Sequence, residues 1–393
     1  MSSKPRFVGK KVKLGDVCDV LNGFAFKSRQ YVDKGIRIIR IVNVQKGYLE
    51  DSKPCFYPVK LTDSLKQYIL EENDLLVSLT GNVGRVALLE KSFLPAALNQ
   101  RVACLRIKDE SRICKRYLYH ALNSSLFENN CVESANGIAQ KNMSTTWLKG
   151  YRIPAPSMVE QEIIIKQLDL IQGQISNVKR QLSEFDSLVK SRFVEMFGDP
   201  SLPDGRWRVA RLDSFTHVIT GNTPSRKKPE YYGEGIEWVK TDNIANSFVS
   251  TAAEQLTAAG QEKARVAPAG SILMTCIAGS VKSIGKVGLL NREVAFNQQI
   301  NAIVPEEDVN SKFLLVLLTL SKNYLCSSVN MQLKGILNKS SLSAKEFPLP
   351  PLELQQEFAA FASQVDKSRF IAQQQIEKLQ MLYDSLAQDY FGD

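Results

Sequence analysis

Glu237-Trp238-Val239-Lys240, downstream of Pro203-Asp204, carries the residue types of a metal-dependent nuclease centre: two carboxylates to hold a divalent ion and a lysine beside the attacked phosphate. The spacing fails, because one residue too many separates Glu237 from Lys240. The matching stretch of an internal repeat, Arg37-Ile38-Ile39-Arg40, has no carboxylate at all. Pro348-Leu349-Pro350-Pro351 lacks the Asn or Asp and the aromatic of an amino-methyltransferase motif, and no glycine-rich loop follows a strand to take that enzyme's cofactor. Thr80-Gly81-Asn82-Val83-Gly84-Arg85 could cradle a phosphate, but two glycines about an asparagine between strands read first as a turn. No triad assembles from His120 and His217. The seven cysteines, at 18, 55, 104, 114, 131, 276 and 326, form no Cys-x-x-Cys pair, so reduced and mostly buried thiols are expected rather than a disulfide framework or a metal site. The chain is expected to be no enzyme and to bind no cofactor of its own.

Charge points to binding instead. Residues 1–159 carry 25 Lys and Arg against 14 Asp and Glu, and residues 200–352 carry 17 against 13. The stretches 160–199 (5 against 7) and 353–393 (3 against 7) are acidic. The positive charge therefore sits on two globular parts, as expected if these touch a polyanion. The basic N-terminus has no apolar stretch behind it, and the longest apolar run, Phe313–Leu318, falls far short of the roughly 20 residues that span a bilayer. A cytoplasmic, membrane-free protein is expected.

The two parts are copies. Phe197-Gly198-Asp199 recurs as Phe391-Gly392-Asp393, 194 residues on. Pro154 matches Pro348 at the same offset, and Glu162 matches Glu357 at 195. Gly-Ile-Ala-Gln-Lys-Asn at 137–142 faces Gly-Ile-Leu-Asn-Lys-Ser at 335–340, and 96–105 faces 294–303, both at 198; 35–44 faces 235–244 at 200. An offset drifting by a few residues across these blocks is that of one duplicated unit with small loop indels.

Elements follow from periodicity. Short β-branched runs such as 36–44, 74–80, 84–90 and 101–107, set between Gly and Asn turns, read as strands, and 115–127 as a helix. In 160–199, Ile164, Leu168, Ile171, Ile175, Val178, Leu182, Phe185, Val189 and Met196 alternate at four and three, broken at Arg192, which is a coiled-coil seam. Phe358, Phe361, Val365, Ala372, Leu379, Leu382 and Leu386 make a weaker one in 353–393. Neither stripe can stay in water, so the two helices are expected to pack antiparallel as a coiled coil. The expected fold is α+β: globular domains 1–156 and 200–351, with helices 157–199 and 352–393 between them.

Duplicated basic domains, each closing on Gly-x-x-Gln/Asn, Pro-x-Pro and a Gln-Glu helix start, each followed by a long helix ending near Phe-Gly-Asp, resemble the specificity subunit of a Type I restriction-modification system. The resemblance covers practically the whole chain. It implies that each domain is a target recognition domain reading one half of a split, asymmetric sequence in double-stranded DNA. It also implies that the helices are spacer and docking surface for two methyltransferase (modification) subunits, which use S-adenosylmethionine to methylate adenine, and that restriction (motor-nuclease) subunits complete the complex. An adaptor or coiled-coil scaffold without methyltransferase partners is the alternative. If the helix is the spacer, four residues inserted near Ser176 add about 6 Å. At ~3.4 Å per base step the unread gap is expected to grow by about one or two base pairs, with both half-sites unchanged. Methylome sequencing checks this, and altered half-site bases at a fixed gap would reject the spacer role.

Blocks shared between copies are expected to be scaffold or partner surface, and basic and amide residues that differ between them to touch DNA. The candidates are Lys27, Arg29, Arg40 and Arg85 in the first domain, and Arg226, Lys227, Lys228, Lys240 and Lys282 in the second. Asn99-Gln100 and Asn297-Gln298 could read adenine but are expected to make a structural turn.

Overall fold

The computed structural model describes residues 10–59, 63–135, 142–202, 204–245, 247–280, 282–327, 329 and 335–392. Residues 137–141 of the repeated glycine block, Pro203 of the nuclease-like set and Asp393 of the second Phe-Gly-Asp lie outside them. The chain divides into two compact units, one of Met1–Lys179 with Gln374–Asp393, the other of Arg180–Gln373. Both boundaries fall inside the long helices Met158–Phe197 and Leu352–Phe391, so each helix gives one end to each unit.

In the first unit an antiparallel sheet runs in the order Cys18–Asn22, Val102–Ile107, Leu75–Ser78, Val86–Leu88. A second sheet runs Phe56–Tyr57, Ile36–Ile39, Ala96–Leu98, Ile69–Leu70, its middle pair parallel. Side-chain alternation decides how they layer. Along Val102–Ile107, Ala103 and Leu105 join a core with the helical residues Tyr117, Leu118 and Leu122, while Val102 and Cys104 join another with Ile39, Ala96 and Leu98. A strand covered on both faces has to be apolar throughout, as this one is over its first four residues.

The second unit repeats the plan. Its main sheet runs Thr216–Thr220, Ile300–Pro305, Ile272–Thr275, Val287–Leu289, Ser247–Val249, Ile244–Ala245. Its other sheet runs Gln255–Leu256, Tyr232–Val239, Val294–Phe296, Val266–Ala267, again with a parallel middle pair. Gly23 and Gly221 hold the same place: a Cβ on either would stand 2.2 Å from the carbonyl oxygen of Asn99 or Asn297. Only glycine lets the chain pass there.

Each Pro-x-Pro starts on the last residue of a short strand. Arg152–Pro154 pairs with Lys11–Lys13, and Glu346–Pro348 with Val209–Arg211. Behind them Gln161 and Gln355, both buried, play one role in two copies. Each amide oxygen accepts the N–H of the residue before a helix, Cys114 at 2.8 Å and Asn310 at 2.9 Å. Each amide nitrogen donates to two carbonyls, those of Arg112 and Pro156 or of Asp308 and Pro350. Gln161 therefore matches Gln355 at offset 194, and Glu162 corresponds to Gln356; the pairing with Glu357 is corrected.

The helices run antiparallel within each unit. In the first, Tyr390 bonds Gln167, and Gln172 Nε2 lies 3.4 Å from the Tyr383 hydroxyl. In the second, Arg192 bonds Glu357 and Arg369 bonds Asp186. Two seam positions differ from expectation. Beyond Val189 the stripe continues through Phe193 and Phe197, buried among Phe313 and Phe358, and this turns Arg192 outward to Glu195 and Glu357. Leu382 is exposed and Tyr383 takes the buried position, because its hydroxyl has a partner inside. Both Phe-Gly steps close a helix through an N–H bond four residues back, Gly198 to Val194 and Gly392 to Gln388, each at 2.8 Å. Phe391 then lies edge-on to Tyr117, which puts the second Phe-Gly in the core of the first unit.

That inside partner is His120, fully buried: its Nε2–H donates to Asp169 at 2.9 Å, and its Nδ1 accepts from the Tyr383 hydroxyl at 3.0 Å. Burial pulls the imidazole below its ordinary pKa against the pull of Asp169. Below about pH 6.5 the unfolded chain binds a proton that the folded one refuses, so this stability is full above 6.5 and is lost as the pH falls. The thermal midpoint of His120→Gln should consequently approach that of the parent as the pH drops from 7.5 to 5.5. A gap independent of pH would contradict it.

Candidate nucleic-acid interface

The cations fall into a pattern that numbering alone hides. Arg40 and Lys240 each follow the parallel strand and open the same turn: the backbone N–H donates to the side chain of Asn43 or Asn243 at 2.9 Å, and the carbonyl accepts that asparagine's own N–H. Arg85 and Lys286 occupy a second common place, where their carbonyls accept from Ser78 and Thr275, both at 2.9 Å. Lys27 and Lys228 precede equivalent 3-10 turns, Ser28–Gln30 and Pro229–Tyr231. Three of the first domain's four candidates thus have basic counterparts at the same backbone position. At these three positions the positive charge is shared by the two copies and only the side chain that carries it varies.

Surroundings differ more than positions. Arg85 donates to Gln45, and Arg40 to the Lys53 carbonyl at 2.5 Å, which draws these two arginines around one hairpin. Lys27 lines a cleft of about 680 Å³ with Phe24, Tyr57 and Tyr68. In the second domain Arg226 and Lys240 converge on Glu254 over Trp238, with Arg226 also 4.2 Å above the Tyr232 ring. Hydrogen bonds from Arg226 first, then Lys240, outweigh burial and hold the Glu254 carboxyl at about 2. These two are consequently tied within the domain, unlike Arg29 and Lys227, which are exposed. Lys282 and Lys286 line a recess of about 610 Å³ with Lys190, Lys312, Lys322 and Arg369; Lys312 and Arg369 are paired there with Asp366 and Asp186.

The nuclease-like set does not form. Glu237 is gripped by two nitrogens of Arg292 and by the N–H of Ala252, which makes it a structural anion. Among the described residues no group of His, Cys, Asp and Glu could hold a metal ion. Asn99 and Asn297 accept the N–H two residues on, at 3.3 and 3.1 Å, so both are turn residues.

The sequence matches the model of the Type I restriction modification DNA specificity domain twice, over residues 9–184 and 205–381. The chain belongs to the Type I restriction-modification specificity subunits. It is 24% identical over 401 residues to the EcoBI specificity subunit of Escherichia coli, covering 91% of this chain and 80% of that one. The fold is similar to that of the S subunit from M. genitalium, with a TM-score of 0.54 at 14% identity over 100% and 98% of the two chains. It is similar also to a chain in a structure concerned with complex assembly and conformational transition of the type I R-M system, at 0.55 and 19% over 98% and 99%. Specificity subunits are the non-catalytic, DNA-recognition members of these systems.

For this specificity subunit, reading the sequence missed Lys286. The signal was present: Gly84-Arg85-Val86 and Gly285-Lys286-Val287 stand 201 residues apart ahead of matching strands. Lys27 and Arg29, exposed beside the aromatic cleft, make the simplest electrostatic test. If both touch phosphates, neutralising them together should flatten the log–log salt dependence of binding by the assembled complex, by roughly 0.9 for each phosphate left without its cation. An unchanged slope would assign both to solvent.

Proposed function

We propose that this specificity subunit reads a bipartite, asymmetric target in double-stranded DNA, one half per domain, and recruits two methyltransferase subunits that supply the chemistry, with motor-nuclease subunits joining for restriction. The observation that carries the reading is the specificity domain present twice, with basic side chains recurring at three common backbone positions around diverged loops. Phosphate contacts set register, and the differing neighbours discriminate bases. Outward apolar residues on the long helices support docking: Val159, Leu170 and Met381 in the first unit, Phe370 and Ile371 in the second, all more than 60% exposed. S-adenosylmethionine belongs to the partner on this reading, and the chain holds no cofactor. Among the described residues no helix is long and apolar enough to cross a membrane, and the working compartment we infer is the cytoplasm.

Co-expression with a Type I modification subunit tests this. The purified complex should bind DNA in a salt-sensitive manner and methylate adenine in a split sequence, whereas the lone chain given S-adenosylmethionine should transfer nothing. Methyl transfer by the lone chain, or no salt-sensitive DNA binding by the complex, would overturn it.

A further inference from the structure

Each domain carries one exposed aromatic at the tip of the same hairpin. In the first, Val44 bridges Leu49 and the Gln45 N–H donates to the Tyr48 carbonyl at 3.0 Å. In the second, Ile244 pairs with Val249 and Ala245 with Phe248. Tyr48 is 54% exposed and Phe248 58%. Neither ring belongs to a core cluster or, among the described residues, stacks on another ring or a cation.

Each hairpin is tied at its feet and along one strand. Asn43 and Asn243 tie their feet through side-chain bonds to the carbonyls of Glu50 and Thr251. Gly47 donates to Val86 at 2.8 Å and accepts from the Tyr119 hydroxyl at 3.0 Å, while Ser247 and Phe248 pair with Gly288 and Leu289. The residue before each ring is left-handed, Gly47 at φ 87° and Ser247 at φ 80°. Glycine takes that conformation freely and serine does not, so the second copy keeps the backbone shape without the residue that favours it. Yet both copies spend no packing on the ring that follows.

Charge around the tips favours a polyanion. Arg40 and Lys240 stand at the feet, and Arg85 and Lys286 just ahead of the strands on which the hairpins dock. The acids nearby are Glu50, Asp51, which pairs with Arg37, Asp242, Glu128, which pairs with Lys46, and Glu254, which pairs with Lys240; Arg40, Arg85 and Lys286 make no ion pair among the described residues.

We infer that Tyr48 and Phe248 are the rings by which the two domains seat on duplex DNA, each burying one face against the sugar and base edges of its half-site between phosphates held by the flanking cations. This rests on the reading that the domains bind DNA. An aromatic at the same tip in both domains, amid neighbours that differ, is an anchor common to both half-sites rather than the discriminating contact.

The test uses the complex assembled with its modification subunits and its own target duplex, with Tyr48→Ala, Phe248→Ala, Tyr48→Phe and Phe248→Tyr. Each alanine variant should weaken target binding roughly tenfold, at an unchanged salt slope, thermal midpoint and methylated sequence; the ring-preserving variants should bind as the parent does. Unchanged affinity of both alanine variants overturns the inference. So does loss of co-purifying modification subunit, which would make the rings a protein contact, or a fallen midpoint, which would make them structural. A parent complex with no salt-sensitive DNA binding removes the underlying reading as well, and is distinguished by failing before any variant is compared.

Discussion

Alanine at Phe193 is expected to cost about 3–5 kcal/mol of stability, a large fraction of the roughly 5–15 kcal/mol that holds a domain folded. Its ring is fully buried, stacked 5.6 Å from Phe313 and edge-on to Phe197 and Phe358 at 5.1 and 5.3 Å. Those partners come from the other long helix, from this helix's own next turn and from the helix Ser311–Leu320, so no single side chain can move in to fill the space. Truncation therefore removes both transfer energy and packing. Val194, next along and 36% exposed, is the control, with a loss on alanine substitution of less than about 0.5 kcal/mol. Denaturant unfolding followed by hydrogen exchange measures both, with protection lost first in the second unit. Equal losses for the two variants would show that the stripe does not pass through Phe193.

That residue marks where sequence reading stopped short. Heptad spacing located both helices and most of the first seam, since Ile164, Leu168, Ile171, Ile175 and Val178 are all buried. It broke at Arg192 because a fixed alternation of threes and fours cannot anticipate two successive steps of four, Val189 to Phe193 to Phe197, made where the helix leaves one partner surface for a cluster of rings. It chose Leu382 over Tyr383 because a periodicity of apolar residues discounts a hydroxyl, and only the fold shows His120 waiting for it. The duplication was legible as repeated words. The equivalence of the candidate cations was not, since Lys27 with Lys228 and Arg85 with Lys286 align at offset 201, while the nearest matched blocks run at 198 and 200. Loop indels moved the register locally, and backbone hydrogen bonds restore it. The hairpin rings carry no chemical motif, and their equivalence depends on a shared left-handed residue that is glycine in one copy and serine in the other.

Gln161→Met should destabilise the chain by about 2–4 kcal/mol, because a part-buried backbone donor loses its acceptor and two carbonyls lose a partner, each at about 1–3 kcal/mol before relaxation. Gln355→Met removes the same set of bonds in the second copy and should cost less. The difference lies in the helices that follow. Asn310 caps its helix with its own side chain, accepting from Lys312 at 2.9 Å and Phe313 at 3.2 Å, whereas Cys114 makes no side-chain cap bond at the start of Lys115–Leu122. In the first copy the glutamine alone fixes the entry to that helix, whose residues Tyr117, Leu118 and Leu122 fill the core beneath the sheet. Supplying the missing cap as Cys114→Asn should then recover about 1 kcal/mol in the Gln161→Met background and less in the parent, where the entry is already held. Chemical denaturation of the four chains, parent, both single variants and the double, measures that coupling. Strictly additive effects would mean that the glutamine and the cap act on independent parts of the helix start, and the account of why the first copy is the more sensitive would fail with them.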